Sequence, residues 1–91
     1  MATFAETQGV TVKVLRGEVR LVSGRESEII LMVPQVIQNR FGAEEYVTAQ
    51  GHKLAAAQTQ EEFETILTTA ENTLRKQANN AVFSDPVVFP K

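Results

Sequence analysis

Between Thr59 and Asn80 the apolar residues fall at steps of three and four: Phe63, Ile66, Leu67, Ala70, Leu74 and Ala78. That spacing puts them on one stripe of an α-helix and constrains the fold more than any other feature of the chain. Its ends are marked too. Thr59 followed by Glu62 has the spacing of a capping box, in which each side chain satisfies a free backbone N–H. Glu61, Glu62 and Glu64 gather at the positive end of the helix dipole, and Arg75 and Lys76 near the negative end. A helix over about residues 60–79 follows, closed by Asn79 and Asn80. A one-sided helix must bury its stripe against something, and the rest of the chain has to supply it.

The first part of the chain has a different period. Val10, Val12 and Val14 alternate with Thr11 and Lys13, and after Gly17 the residues Val19 and Leu21 alternate with Glu18 and Arg20. Alternation of this kind predicts half-buried strands; Gly17 is either a tight turn between two short ones, the preferred reading, or a bulge in one long strand. The composition of residues 23–27, SGRES, predicts another turn. Residues 28–33, EIILMV, form an apolar run without alternation, as expected of a strand covered on both faces at the centre of the sheet. At an edge the same run would be an aggregation hazard.

Pro34 suits a first helical position. Val36, Ile37 and Phe41 then predict a helix that either ends at Gly42 in the left-handed conformation or bends there. Beyond it Ala43, Tyr46, Val47, Gln50 and Leu54 predict a second helix, within residues 43–58. Gly51 is its weak point, at roughly 1 kcal/mol against alanine. Strands first and helices after predict an α+β fold: a small antiparallel sheet, with an optional C-terminal edge strand, packed by two or three helices. The expected organisation is a single domain over residues 1–91. Residues 1–8 are read as a loose N-terminal arm and residues 81–91 as an apolar C-terminal tail.

That tail, AVFSDPVVFPK, contains Val82, Phe83, Val87, Val88 and Phe89. Burying one such side chain is worth about 1.5–3 kcal/mol, so the tail is expected to dock. It can dock on its own sheet edge or on a neighbouring copy as an added strand. These five residues are the candidate interface.

Chemistry has few candidates. The chain has no cysteine and one histidine, His52. A nucleophile triad would have to join His52 to Ser23, Ser27 or Ser84 and to Asp85, with no nucleophile elbow to hold it. The glutamate clusters fall at helix starts, where they complement the dipole, so no metal site and no cofactor are expected. Residues 1–33 carry four basic and four acidic side chains and residues 34–80 four and six. No basic stripe exists to displace counterions from phosphates, which argues against nucleic acid as a partner. The longest apolar run, residues 29–33, is too short for a bilayer. With no signal-like start, the expected location is cytoplasmic, with incorporation into a larger particle also compatible.

The expected function is a non-enzymatic protein–protein interaction or assembly module. It would self-associate, dock on a larger protein, or both, as a structural component of a phage-like particle or a small inhibitor protein does. The neutral amides Gln35, Gln38, Asn39, Gln50, Gln58, Gln60 and Gln77 would favour contact between copies. The alternative is a small-ligand binder or enzyme, with a pocket between sheet and helices and Tyr46, His52 or Arg40 at its mouth.

Overall fold

The computed structural model describes residues 2–83 and Phe89. Three strands, β1 (Thr11–Leu15), β2 (Glu18–Ser23) and β3 (Glu26–Met32), form an antiparallel meander in the order β1-β2-β3. Among the described residues three helices accompany them, α1 (Phe4–Thr7), α2 (Ala43–Ala56) and α3 (Gln60–Val82), with a 3-10 turn at Gln35–Ile37. The fold is a small α+β fold, as the change of period predicts.

Alternation sets the two sheet faces. Val12, Val14, Val19, Leu21 and Leu31 point inward, with Val19 and Leu31 buried in the core. Val19 pairs with Leu31 and Arg20 with Ile29, so the ladder skips Ile30, a β-bulge whose extra residue packs on the core. The sheet order overturns one expectation. Among the described residues the EIILMV run supplies β3, an edge strand, and the more polar β2 is central. Two short turns impose this order, because each strand can pair only with its sequence neighbour.

α2 lies across the inner face, and Gly51 decides how closely. A Cβ built on Gly51 would stand 2.7 Å from Cγ2 of Val19 and 3.0 Å from both methyls of Val14. The glycine is therefore the close-approach point of helix and sheet rather than a weak point. The residues expected on its buried side, Ala43, Tyr46, Val47, Gln50 and Leu54, are all buried.

α3 turns its apolar stripe to the same core: Phe63, Ala70 and Leu74 are buried, and Ile66 and Leu67 pack against it. Thr59 caps it, its Oγ1 accepting from the Glu62 N–H at 3.1 Å. The return bond runs from the Gln58 N–H to Glu62 Oε2, one residue earlier than a capping box requires. α3 continues past Asn79 and Asn80 to Val82, because the Phe83 N–H still finds their carbonyls. The start of the expected tail is thus helical.

Two further segments differ from expectation. Residues 35–41 make only one 3-10 turn, and Gly42, at φ +85°, is the N-cap of α2 instead of the end of a preceding helix. Ile37 is buried, but Val36 and Phe41 are left in water. The segment read as a loose arm carries α1, whose Phe4 ring sits 5.4 Å from that of Phe63. The Phe4 N–H donates to the Ala57 carbonyl at 2.9 Å.

Gly51→Ala should lower the melting temperature. Overpacking against two stiff valines costs about 1–3 kcal/mol, which outweighs the roughly 1 kcal/mol that alanine gains in a helix. Thermal unfolding followed by circular dichroism checks the sign. Thr59→Ala should cost about 1 kcal/mol through the lost cap, measured in urea.

Candidate interaction surface

The outward face of the sheet follows from the strand register. Leu15 pairs with Glu18 and Glu18 with Met32; Lys13 pairs with Arg20 and Arg20 with Ile29; Thr11 pairs with Val22 and Val22 with Ser27. These three rows share the side opposite Val19 and Leu31. A central ion pair, Arg20 Nε to Glu18 Oε2 at 2.8 Å, lies between apolar residues on both flanks. That hydrogen bond, and then the carboxylate's charge, holds the Arg20 pKa above its ordinary value. On the β3 flank Ile29 is 45% exposed and Met32 48%. Val36 and Phe41, in the segment that follows, are 50% and 98% exposed. Ile29 and Met32 share the outward sheet face, and Val36 and Phe41 follow them in sequence.

The other sheet edge is built differently. Thr48, on α2, receives the Gly17 N–H on its Oγ1 at 3.3 Å and donates to the Leu15 carbonyl at 3.4 Å. Arg16 pairs with Glu44 at 2.6 Å and with Glu45 at 3.5 Å. The β1–β2 turn is thereby fastened to the first half of α2. Beside it runs a groove of about 540 Å³ lined by Val14, Leu15, Arg16, Glu45, Thr48, Ala49 and His52. His52 lines this groove; Tyr46 and Arg40, expected with it at a pocket mouth, do not. Tyr46 is instead buried.

The five candidate interface residues are not in one environment. Val82 and Phe83 end α3 with 66% and 77% exposure. Phe89 packs on the core, its ring 5.2 Å from that of Tyr46. Val87 and Val88 lie outside the described residues, as do the optional C-terminal strand and two of the triad candidates, Ser84 and Asp85. Gln50 and Gln77, expected among the surface amides, are buried. Among the described residues no group of three His, Asp or Glu could hold a metal ion. No described helix is long and apolar enough to cross a membrane.

Sequence reasoning missed Val36 and Phe41 as surface residues because their spacing matched a buried helical face. For Ile29 and Met32 the signal was present in the apolar run, but its position in the sheet was not. Comparison with known family models, characterised proteins and solved structures finds no match.

Phe89→Ala should destabilise the fold by about 1–3 kcal/mol, from lost burial and the lost ring contact with Tyr46. Phe83→Ala should stay within about 0.5 kcal/mol, as an exposed position does. Paired urea melts of the two variants make the comparison.

Proposed function

We propose that this chain is a non-enzymatic protein–protein interaction module that self-associates, docks on a larger protein, or both. The observation that carries the reading is the outward sheet face, where Ile29 and Met32 stand about half exposed on successive rows of β3, a strand with no further neighbour among the described residues. An open face of this kind is stabilised when a second protein surface takes its apolar side chains out of water, at about 25 cal/mol per Å² of apolar area. The exposed Val36 and Phe41 extend the apolar character past the strand, and Val82 and Phe83 offer a further contact at the end of α3. A structural component of a phage-like particle or a small inhibitor protein would use such surfaces. A second reading, a small-ligand site, rests on the groove beside His52, whose volume falls in the range of ligand pockets.

Sedimentation equilibrium tests the first reading. The chain should have a mass above its 10.1 kDa monomer value. Ile29→Asp with Met32→Asp should return it to the monomer while leaving the helical circular dichroism signal intact. A monomer at every concentration, with the double substitution changing nothing, would remove self-association.

A further inference from the structure

We infer that the free edge of β3 accepts an extended cationic segment of a partner protein as a fourth strand; this rests on the interaction-module reading above. β3 spans Glu26–Met32 and has a neighbour on one side only among the described residues. On its other side no described strand takes up its backbone groups, and such a row is the template that strand addition uses. The side chains on that strand define what fits.

Glu26 pairs with Ser23 and Glu28 with Leu21, so both carboxylates lie on the helix-bearing side of the sheet, and both are exposed. Neither forms an ion pair with another described residue. Arg25 lies in the turn ahead of the strand, not on it. Ser27 and Ile29 occupy the opposite face. The bulge at Ile30 interrupts the alternation. Residues 26–29 are therefore the regular stretch that an added strand can match.

Those charges select the occupant. A second β3 laid antiparallel on this stretch, faces matched, brings Glu26 opposite Glu28 or a glutamate opposite itself. Like charges directly opposite one another disfavour pairing. A segment alternating cationic and apolar residues instead sets its cations against Glu26 and Glu28. Its apolar residues then lie beside Ser27 and Ile29, enlarging the outward apolar face.

The test titrates the intact, isotope-labelled chain with the acetylated, amidated hexapeptide TVKVKT to millimolar concentration, following backbone amide shifts. The acidic hexapeptide TVEVET and a backbone N-methylated TVKVKT serve as controls. The expected result is a set of shifts concentrated on residues 26–32, with at least tenfold tighter binding of the cationic peptide than of either control. Binding should weaken as salt rises. The double variant Glu26→Lys with Glu28→Lys, at two exposed positions, should reverse the preference toward the acidic peptide. Equal binding of all three peptides, shifts centred on α2 or α3, or no binding would overturn the inference. So would protection of the β3 amides in the free chain that disappears on dilution to monomer, which would assign the edge to a second copy. Loss of peptide binding alongside an oligomer that Ile29→Asp and Met32→Asp dissociate would sink this inference and leave the broader reading standing.

Discussion

The contact between Gly51 and the methyls of Val14 and Val19 sets the spacing on which the rest of the molecule depends. Helix α2 can reach the inner sheet face only where no Cβ stands between them. Once it does, Tyr46, Val47 and Leu54 come into the same core as Val19 and Leu31. α3 then closes that core with Phe63, Ala70 and Leu74. All the described burial is on one side of the sheet, and a three-stranded sheet packed on one side leaves the other to water.

Much of this was legible in the sequence, for a physical reason: period records which side of an element meets the core. The alternating valines located β1 and β2, and the stripe from Phe63 to Leu74 located α3 with its Thr59 cap. What period cannot record is the neighbour across a strand. The run at residues 28–33 is apolar enough for a central position, yet chain connectivity places it at an edge. Gly51 was misread for a related reason. Helix propensity treats the residue alone, whereas the valines that make glycine necessary lie far away in sequence.

The candidate surface was less legible than the fold. Val36, Ile37 and Phe41 have helical spacing, but an isolated helix that short does not sustain itself. Pro34 offers no side-chain cap, and Gly42 turns the backbone into α2. Ile37 alone is drawn into the core, and its neighbours remain outside. In the C-terminal tail, hydrophobicity could not assign separate environments to Phe83, exposed at the end of a helix, and Phe89, its ring against that of Tyr46.

The bond from the Phe4 N–H to the Ala57 carbonyl joins the beginning of the chain to the α2–α3 junction. Everything between those residues, the whole sheet and α2, is enclosed in one loop whose closure costs chain entropy. The meander can form from near neighbours, but this clasp forms only after sheet and helix have brought their far ends together. The same segment carries the Phe4 ring that meets Phe63, and without it the Ala57 carbonyl, at the C-cap of α2, would lose this donor. The junction between the two long helices is therefore tied to a segment distant in sequence.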